Sequence, residues 1–363
     1  MDKKILDKIA KVGYDAQSEH AASFVQNGDQ VLETKVGSQS LVLLPTALAA
    51  ERYPDLVKKY WWQAVAKDTD EYTAAAASGA EKGYFVHVGK NQKISYPVQA
   101  CIFLNQKGLS QRVHNIVILE EGAELNMISG CASDREALEA EHLGISEIYI
   151  GKNAKLTFTM LHAWAPGIKV RPRTTVLVEE GGTYISNYIN MEGAQDIQMN
   201  PLTRLCGRGA VCRLNSVLVV PSGSKMDIGG RVILEKEDTK AEIVTRTIGL
   251  GGEAINRGAL VGKAKGVKAH LECHGLMLSE SGYISAIPQL DAHTNDAQMS
   301  HEAAVGRIAP EEIEYLMARG LDEEEATATI VRGFLNVNIE GLPSALGAKI
   351  QETLDTFSLK KSL

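Results

Sequence analysis

Short turns centred on glycine or asparagine recur through the middle of this chain at nearly even intervals. They are Glu121-Gly122-Ala123, Lys152-Asn153-Ala154, Glu180-Gly181-Gly182, Ser222-Gly223-Ser224, Leu250-Gly251-Gly252, Lys265-Gly266-Val267 and Ser281-Gly282-Tyr283. Each precedes a segment of alternating character, such as Glu124-Leu125-Asn126-Met127-Ile128 or Lys155-Leu156-Thr157-Phe158. Asn153 to Gly181 spans 28 residues, Gly223 to Gly252 spans 29, Gly252 to Gly266 spans 14 and Gly266 to Gly282 spans 16. The intervals fit one unit of about 15 residues and its double, too short to bury an apolar face alone, so units must stack. Strands at this spacing without intervening helices point to a β-helix or a sandwich. The period of two begins with Tyr84-Phe85-Val86-His87-Val88 and persists to about residue 308.

The flanks have a different period. Ile5, Leu6, Ile9 and Val12 recur at helical spacing. Residues 46–51 are alanine-rich, and Pro54 sits in the first turn of Pro54-Asp55-Leu56-Val57-Lys58-Lys59-Tyr60, where its missing N–H costs little. Residues 1–82 therefore read as an N-terminal helical region, and 83–308 as the β core. The helical period returns at Pro310. Ile313, Leu316 and Met317 share a face, and Gly320 is placed to end that helix. Asp322 with Glu325 resembles a capping box, and Ala326, Ile330, Val331 and Phe334 form the next apolar stripe. A last helix is expected after Pro343, with Leu346, Ile350, Leu354 and Phe357 on one side. Residues 309–363 thus read as a C-terminal helical region. It can cap the β stack, as a solenoid requires, or lay an amphipathic face in a partner's groove.

Composition excludes several classes. The net charge is −7 with no basic block, which argues against nucleic acid or an anionic membrane as partner. The start, Met1-Asp2-Lys3-Lys4-Ile5-Leu6-Asp7, lacks the apolar run of a signal peptide. No stretch of about 18 uncharged apolar residues occurs, so a cytoplasmic setting is expected. The five cysteines are odd in number and widely spaced, with no CxxC, so neither a disulfide framework nor a preformed zinc or ferredoxin-like site is encoded.

One constellation carries chemistry. In Lys268-Ala269-His270-Leu271-Glu272-Cys273-His274-Gly275-Leu276, alternation puts Ala269, Leu271, Cys273 and Gly275 on one face and His270, Glu272, His274 and Leu276 on the other. By pattern alone Cys273 fills a core. A thiolate is also a sulfur nucleophile and an iron ligand. His301 and Glu302 follow in Ser300-His301-Glu302-Ala303, near the end of the β pattern. A thiol, an imidazole and a carboxylate suit a soft metal in a cluster better than a hydrolytic site. The bland alternative makes His301 and Glu302 solvated side chains at a strand-to-helix corner. His301-Glu302-Ala303-Ala304 continues with Val305, so the second histidine of a zinc protease is missing. Gly249-Leu250-Gly251-Gly252 is followed by strand pattern, not by the helix of a dinucleotide site. No GxxxxGK[ST] occurs, so a partner would have to hydrolyse any ATP.

Several stretches resemble the SufB/SufD family, the scaffold subunits of the SUF iron–sulfur cluster assembly machinery. They include Pro54 to Tyr60, Met160-Leu161-His162-Ala163-Trp164 with Pro166 and Gly167, and Gly249 to Leu260. The strongest likeness runs through Pro288-Gln289-Leu290, Ser300-His301-Glu302-Ala303, Glu314 to Leu321 and Ile330-Val331-Arg332-Gly333-Phe334. The resemblance covers roughly residues 45–336. It implies a mainly β protein, a right-handed parallel β-helix flanked by N-terminal and C-terminal helical regions. It implies a non-enzymatic scaffold for assembly and transfer of a transient iron–sulfur cluster, 4Fe–4S or 2Fe–2S, to apo iron–sulfur proteins. It implies a SufC-like ABC ATPase docked on the C-terminal helices, here Ile313, Leu316, Met317, Ile330, Val331 and Phe334, and pairing of two scaffold subunits through their β-helix ends. Cys273, His301 and Glu302 match the family's assembly residues, which makes the chain look SufB-like and its compactness suggests a homodimer. A second family cysteine is replaced by Thr203, with Cys206 and Cys212 nearby. The alternative is a non-catalytic, SufD-like structural subunit.

Overall fold

The computed structural model describes residues 1–79 and 82–335. The chain winds into a β-solenoid of about eight turns, with helices at both ends. Among the described residues, two sheets of 10 and 11 strands run along its length. Nearly all neighbours are parallel, and in-register partners lie one coil apart: Glu124 beside Lys155, Lys155 beside Thr183, Thr183 beside Val211. One coil is thus the double unit of the sequence pattern, and each half supplies one strand. All seven turns read from the sequence contain a residue with positive φ, among them Gly122 (69°), Asn153 (55°) and Gly266 (69°). At Gly181 (φ 65°), a Cβ would also lie 2.3 Å from Asn153 Oδ1 of the previous coil. Only glycine meets both demands.

Alternation sorts each strand between a shared interior and an outer face. The interior of the solenoid is one continuous apolar cluster that includes Val98, Leu125, Leu156, Tyr184, Leu214, Ile243 and Leu271. A second cluster lies on the outside of the 10-stranded sheet, where Val25, Phe103, Ile128, Ile189, Val217, Ile248 and Leu276 are covered by helices from both flanks.

The helical reading of residues 1–82 needs correction. Helices Lys3–Ile9, Thr46–Arg52, Pro54–Tyr60 and Glu71–Ala77 are present, but Ala22–Asn27, Gln30–Val36 and Leu41–Pro45 are strands. The first two form an antiparallel hairpin across Gly28 (φ 54°), and Ala22–Asn27 then pairs in parallel with Val98–Leu104. The physical reason is legible: Asn27-Gly28 is a hairpin turn signal, and the β-branched Val31, Thr34 and Val36 favour a strand over Gln30–Val36. At the other end, helices Pro310–Met317 and Glu323–Leu335 follow the last strand. The capping box is formed: Asp322 accepts from the Glu325 N–H (2.8 Å), and Glu325 accepts from the Asp322 N–H (3.1 Å). The helix expected after Pro343 lies outside the described residues.

Candidate functional site

The last coil is built differently from those before it. Its two strands, Tyr283–Ala292 and Gln298–Gly306, end the two sheets, and among the described residues nothing pairs with their outer edges. Tyr283, Ile287 and Val305 are exposed. Cys273 sits one coil in, on Lys268–Met277, in register between Thr245 and Ala303. Its side chain faces the interior and is fully buried. Burial pushes the thiol up to about 11, against the opposing influence of the Thr245 hydroxyl. At neutral pH the group is therefore a protonated thiol, neither nucleophile nor good ligand until it is uncovered or meets a metal.

His301 and Glu302 lie in the middle of Gln298–Gly306, not at a corner. His301 pairs with Leu271 and so shares the interior face with Cys273. Strand spacing of about 4.8 Å and a two-residue offset put their Cα atoms roughly 8 Å apart. His301 remains exposed because, among the described residues, no further coil covers it. Glu302 pairs with Glu272 and faces outward. There it joins a polar cluster that sequence reasoning did not assemble. His274 Nδ1 is 3.4 Å from Glu272 and its Nε2 is 3.7 Å from Glu302. Arg246 forms an ion pair with Glu272 and stacks 5.8 Å from the Phe334 ring centroid. Alternation had placed Glu272 and His274 outside; the missing information was the register that brings Glu302 beside them. The structure thus brings Cys273 and His301 to one face and leaves Glu302 on the other. Among the described residues, no three His, Cys, Asp or Glu side chains converge in metal-binding geometry.

The helical stripe is divided. Val331 is buried with Leu335 against the outer face that carries Ile248 and Leu276, and Phe334 packs at the same cluster. Ile330, Ile313 and Leu316 are half-buried, while Tyr315 and Met317 are exposed. Two further thiols face the interior. Burial pushes both Cys131 and Cys212 up to about 12, and Thr203 is the interior neighbour that opposes this at Cys212. Cys206, half-buried, sits beyond the end of strand Leu202–Leu205.

The sequence of this solenoid has close counterparts among known proteins. A family model described as the SufBD core domain of SUF system FeS cluster assembly matches residues 102–334. The chain belongs to the SufBD family. A second family model, the SufBD protein N-terminal region, matches residues 19–100, which include the strands absent from the helical reading. An iron–sulfur cluster assembly SufBD family protein of Archaeoglobus fulgidus is 45% identical over 350 residues, covering 96% of this chain and 94% of the relative. One of Methanothermobacter thermautotrophicus is 43% identical, covering 99% and 88%. A more distant one, of Pyrococcus horikoshii, is 29% identical, covering 87% and 71%. No helix among the described residues is long and apolar enough to cross a membrane.

Proposed function

We propose that this SufBD protein is the scaffold on which an iron–sulfur cluster is built and from which it is passed to apo proteins. The single observation that carries the reading is the placement of Cys273 one coil behind an open terminal coil, with His301 exposed on the same face. The described residues of one chain offer too few converging donors to hold a cluster. A second copy, paired through the exposed Tyr283, Ile287 and Val305, would complete the set in a homodimer. Iron and sulfide are then the cargo, held by Cys273 and His301 of one copy together with Glu302 of its mate. Sulfur binds such a cluster firmly, whereas an oxygen or imidazole ligand exchanges more readily and lets it leave. A SufC-like ABC ATPase would dock at the helices carrying Ile313, Leu316, Met317, Ile330, Val331 and Phe334. Pulling Glu323–Leu335 away from the sheet would uncover Arg246, Glu272 and His274. Such uncovering would speed loading, since burial disfavours the thiolate that binds iron.

The test is anaerobic reconstitution with ferrous iron, sulfide and reductant. Wild type is expected to develop the charge-transfer absorbance of a cluster, and Cys273→Ala to lose most of it. Equal absorbance would refute the assignment. The SufD-like structural reading is favoured by one observation, the lack of a converging donor set among the described residues. It predicts no cluster in wild type and full tolerance of Cys273→Ala and Glu302→Ala in assembly.

A further inference from the structure

Ion pairs between consecutive coils are the rule on this solenoid. Lys225 faces Glu253 at 3.3 Å, Arg213 faces Glu242 at 2.7 Å and Lys93 faces Glu124 at 2.5 Å, each pair in register. Two lysines depart from it. Lys240 lies in register with Lys268, both exposed, and among the described residues neither has an acidic partner. Like charges directly opposite destabilise a sheet. The two lysines line a groove of about 850 Å³ that crosses six strand starts, from Lys155 to Gln298. Lys155 stands at one end, and His270, Gln298 and Ser300 at the other. At five strand spacings the groove is about 24 Å long, the reach of roughly seven extended residues. Its lining includes Thr183, Val211 and Met299, with no Phe, Tyr or Trp on which a base could stack.

We propose that this groove docks an extended acidic segment of a partner protein. The chain as a whole carries −7, so a local concentration of lysine steers an acidic partner to this one face. Length favours a peptide over a single phosphate, and the absence of an aromatic platform disfavours a nucleotide. Lysine ammonium groups suit carboxylates presented at varied angles on a flexible strand. The far end of the groove, at His270 and Ser300 (2.9 Å apart), lies two residues along the strands from Glu272 and Glu302. A bound segment would therefore end beside the proposed assembly site, although docking needs no cluster.

Fluorescence polarisation of a labelled heptaglutamate peptide with the full iron-free chain tests this directly. Binding is expected for wild type, with affinity that falls as salt rises. The double variant Lys240→Ala/Lys268→Ala should lose at least tenfold, with circular dichroism unchanged. Lys225→Ala, on the other sheet, should bind as wild type does. Three results would overturn the proposal: no binding to wild type, equal binding by the double variant, or displacement of the peptide by pyrophosphate or ADP at lower concentration than the peptide itself requires. The last would make the groove a small-phosphate site.

Discussion

Two buried residues test how side-chain chemistry is set by the coil. Glu147 is fully buried beside His114, whose Nε2 lies 2.8 Å away. It also accepts from the N–H groups of Trp62 (2.6 Å), Ala64 (2.6 Å) and Val65 (3.0 Å), and so ties residues 61–65 to the solenoid. Burial opposes its ionisation, but these bonds outweigh it and hold the carboxyl below the usual range. A depressed carboxyl stabilises the fold above its unfolded pKa, about 4.3, and that contribution fades as pH falls through the lower folded value. Glu147→Gln should cost about 3 kcal/mol near pH 7, as for a broken buried pair. The difference from wild type should shrink below about pH 4 in urea melts followed by circular dichroism. A gap that stayed constant with pH would contradict an ionised Glu147. At Cys273 the relevant neighbour is Thr245. Thr245→Val should slow alkylation of Cys273 at pH 9 several-fold and shift its pH profile upward, while Thr245→Ser should restore it. Alternation in the sequence already put Cys273 inside; that Thr245 lies opposite it needs the register, which alternation does not supply.

At the scale of elements, what was legible followed from local chemistry. Turn glycines gave the coil corners because positive φ is a property of one residue. The capping box gave the start of Glu323–Leu335 because it spans four residues. The hairpin Ala22–Asn27 with Gln30–Val36 is announced locally only by Asn27-Gly28, and the helical stripes on either side of it carry the stronger period. The face taken by the C-terminal stripe could not be read, because an apolar stripe does not say whether its own sheet or a partner will cover it. Here Val331 packs on the chain itself. Val331→Asp would place a charge in that contact, at a cost of about 3 kcal/mol, comparable to an uncompensated buried charge. Hydrogen exchange should then show fast-exchanging amides in Glu323–Leu335 and unchanged protection in Lys268–Met277. Loss of protection in both would mean that the helix is integral to the fold and not a detachable cover.

At the scale of the molecule, the solenoid is a stack in which each coil is finished by the next, and among the described residues nothing finishes the final coil. The open edge with Tyr283, Ile287 and Val305 is the place where a second copy would complete it. Sedimentation velocity should find a dimer for wild type and a folded monomer for Ile287→Asp/Val305→Asp. A monomeric wild type, or a variant that remained dimeric, would contradict pairing through this end. The site itself was legible only in part: its residue types were in the sequence, but the opposite faces of His301 and Glu302 depend on strand geometry. The central claim is that sulfur from Cys273 and lighter atoms from His301 and Glu302 hold one cluster. Iron K-edge X-ray absorption of the reconstituted protein measures this most directly. The account predicts a mixed shell of sulfur and oxygen or nitrogen, with the lighter shell reduced in His301→Ala/Glu302→Ala. A shell of sulfur alone, unchanged in that variant, would contradict it.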